Sequence, residues 1–264
     1  MTAVSLTAPG RPDGRVDLTV VVPCYNEAPR LRPTLERLQL HLDGLGRPYE
    51  VIFVDDGSKD GTLPCLHEAA SSWPQAQVVA LAVNAGKGRA VASGVRVSRG
   101  DVVLYSDADL STPIEELDKL EQALRRGADV AFGSRSVTGG DPVARQLHRR
   151  VMGRLFNLMV RALLLPGFGD TQCGFKALRG EVARELFGDL VTDGFAFDVE
   201  ILWRAQCAGF HLEEVSVRWR DSGATRVSPV RHSLQMLRDV LALSASRGPM
   251  RVPQSPGQDP AVNG

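Results

Sequence analysis

Apolar residues fall in short runs closed by polar, glycine-bearing turns, and between the runs they recur at helical spacing. The first run, residues 18–22, is aliphatic almost throughout and ends at Pro23. A run without alternation predicts a strand covered on both faces, as in a parallel sheet. Leu31, Leu35, Leu38 and Leu42 then predict a helix whose first turn holds Pro33 and whose end is set by Gly44 and Gly46. The alternation repeats, with strands at 50–54, 77–83, 102–106 and 129–132 and helices ending near Ser72 and Ser98 or spanning 113–126. Strand and helix in turn imply βαβ units, an α/β fold with a doubly wound, mostly parallel sheet flanked by helices.

Beyond Gly133 the alternation stops. Helical patterns at 143–165, 196–208 and 230–244 mix with one strand at 213–219, a helical lobe on the far side of the sheet. The expected organisation is a flexible polar leader (1–16), one domain (17–246) and a disordered tail (247–264) rich in Pro, Gly, Gln and Ser. The domain divides into a sheet half (17–135) and a helical half (136–246).

Ligands of such a sheet bind at the carboxyl ends of its strands, and four polar segments fall there: PCYNE, DDGSKDG, NAGKG and SDADLS. Asp107-Ala108-Asp109 ends a strand with two carboxylates, hard donors suited to Mg²⁺ or Mn²⁺ bridging a diphosphate; the same triplet could instead cap the helix near Pro113. Asp55 and Asp56 can accept hydrogen bonds from a base or ribose, or simply form an Asx turn. In Asn84-Ala85-Gly86-Lys87-Gly88 a helix N-terminus and one ammonium suit a phosphate, without Walker A spacing. Pro23, Tyr25 and Glu27 complete the set, although alone Tyr25 could simply pack on the sheet and Glu27 could begin a helix.

Charge and cysteine usage narrow the classes. Acidic and basic residues number 31 each, so no overall basic field gathers nucleic acid. Cys24, Cys65, Cys173 and Cys207 are scattered without zinc spacing, which predicts reduced thiols in a cytosolic chain. No apolar run approaches the ~18 residues of a membrane span, and the N-terminus lacks a signal-peptide core.

VVPCYNE, VDDGSKDGT, NAGKGRA and SDADLSTP, in this order, resemble the GT-A fold of family 2 glycosyltransferases. GSR at 133–135, DTQCGFK at 170–176 and FAFDVEIL at 195–202 are similar to the dolichyl-phosphate β-glucosyltransferases and their polyprenyl-phosphate relatives. The resemblance implies that Pro23, Tyr25, Glu27, Asp55 and Asp56 hold the nucleoside, with Lys87 and Ala108 at the diphosphate and Asp107 and Asp109 on the metal. It also implies catalytic roles near the reacting centre for Asp170 and Arg135, and an acceptor-phosphate site at Arg135, Arg149 and Arg150, though an arginine run is also commonly a solvated face. Asp198 is expected to order those arginines or to serve the structure alone. Ser111 stands where mannose-using relatives often carry Gln, which puts a third protein ligand to the metal in question and leaves water to complete the shell.

The implied reaction is inverting transfer from a UDP-sugar, foremost UDP-glucose, to a polyprenyl phosphate; GDP-mannose as donor and a catalytically silent sugar-nucleotide-binding protein are the alternatives. A chain that uses a bilayer lipid without crossing the bilayer must be peripheral, here on the cytoplasmic face. The helix at 143–165, with arginines on one stripe and leucines around it, is the expected contact; its wide apolar face equally suits a core helix of the second lobe, and both can hold, with one face on protein and one on lipid.

Overall fold

The computed structural model describes residues 4–7, 14–135, 156–220 and 229–245. Eight strands form one sheet, β1 (Val4–Thr7), β2 (Leu18–Cys24), β3 (Tyr49–Asp55), β4 (Ala76–Leu81), β5 (Val102–Ser106), β6 (Val130–Ser134), β7 (Phe175–Arg179) and β8 (Leu212–Ser216), in the order β1-β4-β3-β2-β5-β7-β6-β8. Only β1 and β7 run against the rest. The chain winds outward from β2 through β3 to β4 and then returns to place β5 on the other side of β2. That reversal opens a crevice between the carboxyl ends of β2 and β5.

Helices cover both faces. Val20 and Val22 point to the layer of α1 (Ala28–Asp43), α2 (Thr62–Ser72) and α4 (Leu117–Arg125). Val21 points to the layer of α3 (Lys87–Val97), α5 (156–163), α6 (Gly180–Gly188), α7 (Phe197–Cys207) and α8 (Pro229–Ala245). Every residue of β3 is buried, which is why the run shows no alternation.

Several expectations need correction. Residues 4–7 of the expected leader form β1, which adds antiparallel to the edge of β4; four residues are too few to show a period. Helix α1 begins at Ala28, so Pro33 sits in its second turn rather than its first. Residues 114–116 are a 3₁₀ turn before α4. Of the expected helix at 143–165, residues 143–155 lie outside the described residues and the described part ends at 163. Strand β7 and helix α6 were not expected, because β7 carries Lys176 at a core position where the pattern calls for an apolar residue.

Lys176 is fully buried between β5 and β6. Its ammonium donates to the carboxylate of Asp198 on α7 and to the carbonyl of Cys173 (2.7 Å), while the Tyr105 hydroxyl on β5 donates to the same Asp198 oxygen (2.8 Å). All the charged partners are satisfied, as a buried pair requires. Asp198 therefore joins β5, β7 and α7, the structural role the sequence also allowed, while Arg135 is held by Asp170 instead and Arg149 and Arg150 lie outside the described residues. Asp198→Ala strands the Lys176 ammonium and should cost about 3–5 kcal/mol. Chemical denaturation should show the midpoint falling accordingly and largely recovering when Lys176→Met and Asp198→Leu are combined.

Candidate active site

The crevice is a cleft of about 630 Å³ walled by the four strand-end segments, a size suited to a nucleotide-scale ligand. Pro23, Tyr25, Glu27, Asp56, Lys87, Asp107, Ala108 and Asp109 all line it. The opposite wall comes from Asp193, Gly194 and Phe195 before α7, and from Gln235 and Met236 of α8. Tyr25 is 40% exposed and offers a ring at the mouth. Two non-glycine residues with positive φ, Asn26 (54°) and Leu110 (45°), sit beside the strand-end carboxylates; such strain persists where the surroundings over-determine the backbone.

Asp107 ends β5 with its side chain open to the cleft, and the Lys87 ammonium lies 2.6 Å from its Oδ1. Burial lowers the Lys87 pKa, but the charges of Asp107 and Asp198 more than reverse this, so the lysine stays protonated. A Cβ on Gly174 would come within 2.3 Å of the Asp107 carboxylate, so the glycine of DTQCGFK makes room for that side chain. Asp109 accepts from the Ser111 amide (2.9 Å) and faces Arg30, whose Nη1 is 3.9 Å from its Oδ2. Arg30 also holds Glu27 by two hydrogen bonds.

Asp56 reaches across from β3 to accept the amides of Ala85 (2.7 Å) and Gly86 (3.0 Å), which shapes the NAGKG loop. Burial raises its carboxyl pKa, and those two amides oppose the rise. Gly86 has φ 101°, and a Cβ there would strike the Asp193 carbonyl at 2.4 Å, where the loop meets the opposite wall. The same carbonyl accepts the Gly88 amide (2.8 Å).

Asp55, Asp170 and Arg135 do not line the cleft. Asp55 is 1% exposed and accepts the Ser58 amide, so it makes the turn. Asp170 takes the Arg135 guanidinium at 2.6 and 2.8 Å and the Arg135 amide at 3.0 Å. Asp170 thus holds Arg135 in place, and the Arg135 guanidinium also lies over the Trp219 ring and feels the charge of Asp107. Glu214 fixes Asp170 in turn by accepting the Gly169 and Asp170 amides. Arg149 and Arg150 lie outside the described residues.

Sequence reasoning passed over Arg30, Asp193, Gln235 and Met236, and singled out Phe195 only as the first residue of FAFDVEIL, without a place in the cleft. Arg30 carried a signal, since it stands three residues after Glu27 at the start of a helix; α8 reaches the cleft only through the tertiary fold. Among the described residues no group of three or more His, Cys, Asp or Glu forms a metal cage. The all-oxygen pair Asp107 and Asp109 fits a hard divalent ion that takes its other ligands from diphosphate and water.

The family model for glycosyl transferase family 2 matches residues 19–187. The chain belongs to glycosyltransferase family 2. A dolichyl-phosphate β-glucosyltransferase of Drosophila melanogaster is 35% identical over 92% of this glycosyltransferase and 79% of the fly enzyme. A dolichol-phosphate mannosyltransferase of Pyrococcus furiosus is 35% identical over 70% of this chain and 52% of its own. The solved mannosyltransferase PcManGT of Pyrobaculum calidifontis, in complex with GDP-Man and Mn²⁺, shares the fold with TM-score 0.60 and 20% identity over 92% of this chain and 68% of its own. The chain is accordingly an enzyme of the GT-A fold.

Burial alone would raise the Asp170 carboxyl, but Arg135 outweighs it and holds the pKa below the usual carboxylate value. The stability this gives the glycosyltransferase is present above the unfolded pKa of ~3.9 and lost as pH falls through the lower folded value. Asp170→Asn should cost about 2 kcal/mol at pH 7. Urea melts of both proteins should show that gap closing below about pH 4 and unchanged above it.

Proposed function

We propose that the enzyme transfers glucose from UDP-glucose to a polyprenyl phosphate, inverting the anomeric carbon to give a β-linked lipid-phosphate sugar. The observation that carries this reading is the meeting of four strand-end segments in one cleft, with Asp107 held against Lys87 at its floor. The fly relative's name supplies the sugar and the lipid. GDP-mannose transfer is the second reading, favoured by the Pyrococcus relative.

Tyr25 and Pro23 take the nucleoside, and Glu27 and Asp56 border it. Asp107 and Asp109 would hold a divalent ion, Mg²⁺ or Mn²⁺, whose charge would offset that of the donor diphosphate. A lipid monophosphate, with a second pKa of ~6, is largely dianionic at neutral pH and needs no strong general base. One of its oxygens forms a bond to the anomeric carbon while the bond from that carbon to the diphosphate oxygen breaks. The released electron pair stays on the diphosphate, where Lys87 stabilises the new charge. Arg135, held by Asp170, orients the acceptor phosphate, with Arg149 and Arg150 assisting.

The enzyme works as a peripheral protein at the cytoplasmic membrane surface. No described helix is long and apolar enough to cross a membrane. On α5, Val160 enters the core, as do Leu164 and Leu165 just beyond its end, whereas Leu158 is 62% exposed. That division lets one helix pack on protein and touch lipid.

A panel of UDP- and GDP-sugars with polyprenyl phosphate tests the reaction: transfer should be highest with UDP-glucose, and GDP-mannose as the better donor would favour the second reading. Asp109→Ala should lower turnover at least about 100-fold, a loss of roughly 3 kcal/mol, with the thermal midpoint unchanged; near-normal turnover would sink the metal assignment. Leu158→Asp, at an exposed position, should weaken sedimentation with anionic liposomes without affecting folding. Leu163 is a poorer target because it packs against the core.

A further inference from the structure

The two carboxylates assigned to the divalent ion are each faced by a cation of the chain itself. Lys87 lies 2.6 Å from Asp107, and Arg30 lies 3.9 Å from Asp109 while sharing its other nitrogens with Glu27. Lys87 and Arg30 are 18% and 30% exposed and both line the cleft, so the groups interact with limited help from solvent. Three carboxylates against two cations leave the five groups with one net negative charge.

We infer that Lys87 and Arg30 couple the divalent ion to the donor, by competing with the ion for Asp107 and Asp109 until a nucleoside diphosphate draws their charges to its own oxygens. This rests on the cation-dependent reading of the cleft proposed above. The charges give the direction. A divalent ion alone turns the cluster from one net negative charge to one net positive charge, and it must also displace two ammonium-type partners. The donor diphosphate, with about two negative charges, takes the cluster alone to about three negative. Bound together, the two ligands return it to its starting value. Each ligand cancels the charge the other adds, so each strengthens the other, by the same factor in both directions.

Arg30 is then a positioning residue whose removal has a distinctive sign. A residue that merely supports the fold would weaken ion binding when lost. Arg30 and Lys87 should instead restrain the ion when it binds alone.

Electron paramagnetic resonance of free Mn²⁺, titrated with the full chain with and without saturating UDP, measures this apart from turnover. Wild type should bind Mn²⁺ about tenfold or more tightly with UDP present, and calorimetry of UDP should show the same factor with Mn²⁺. Lys87→Met and Arg30→Gln should each bind Mn²⁺ alone at least about threefold more tightly than wild type, with the gain from UDP cut below about threefold. Arg37→Gln, which removes an exposed cation paired with Glu115, should behave like wild type. If Lys87→Met and Arg30→Gln bind Mn²⁺ alone no better than wild type, or if Arg37→Gln matches them, the coupling is overturned while the cation-dependent reading stands. If wild type binds no Mn²⁺ with or without UDP and transfers sugar in chelator, both fall.

Discussion

The cleft stands on one ion pair that water does not reach. Lys176 and Asp198 are both buried, and their contact ties an inserted strand to the helix that follows the Asp193–Phe195 part of the opposite wall. Two residues before Lys176 is Gly174, whose missing side chain admits the Asp107 carboxylate. Two residues after Asp198 is Glu200, which accepts the Val191 and Thr192 amides and so sets the loop that meets Gly86 and Gly88. A pair of this kind is a weak source of net stability, because desolvation consumes most of the attraction. Its effect is geometric: the pair fixes where β7 and α7 meet, with both charges satisfied there.

From that pair outward, charge alternates toward the cleft. Asp198 supports Lys87, Lys87 meets Asp107, and Arg30 stands between Asp109 and Glu27. On the other flank Glu214 holds the Asp170 backbone and Asp170 holds Arg135. The thiols of Cys24 and Cys173, by contrast, are pushed up by burial and stay neutral. The site is therefore a field of fixed charges rather than a set of proton carriers, which suits a reaction whose nucleophile arrives already ionised.

The sheet half was legible because its strands are apolar on both faces and its polar segments stand at their ends; β2, β3 and β5 lie where the runs of Val, Ile and Phe stop. Eight residues expected in the cleft line it for the same reason. The helical half was less legible. Strand β7 hides a lysine in the core, and its partner lies 22 residues away, so neither charge looks buried when read alone. Asp170 stands in a segment whose resemblance marks it as important, but a resemblance does not tell a reacting group from one that holds its neighbour. Gln235 and Met236 sit on a helix whose pattern reports only its buried face, and their place in the cleft depends on the turn of the whole chain.

The antiparallel insertion of β7 also bears on how the polypeptide is made. Strand β6 pairs only with β7 and β8, both later in the chain, and β5 has β7 as its second neighbour. A nascent chain that has emerged as far as Ser134 thus holds β6 with no strand to pair with and β5 as a bare edge. Residues 17–135 carry most of the recognisable segments, yet they do not form a unit that closes on itself. Their completion waits for a strand about seventy residues downstream of β5, a pairing of high sequence separation and correspondingly slow to form. Until then the exposed edge is open to pairing with other chains. A fragment cut at the end of the DxD-bearing half would inherit that liability permanently, and the enzyme is best regarded as folding whole.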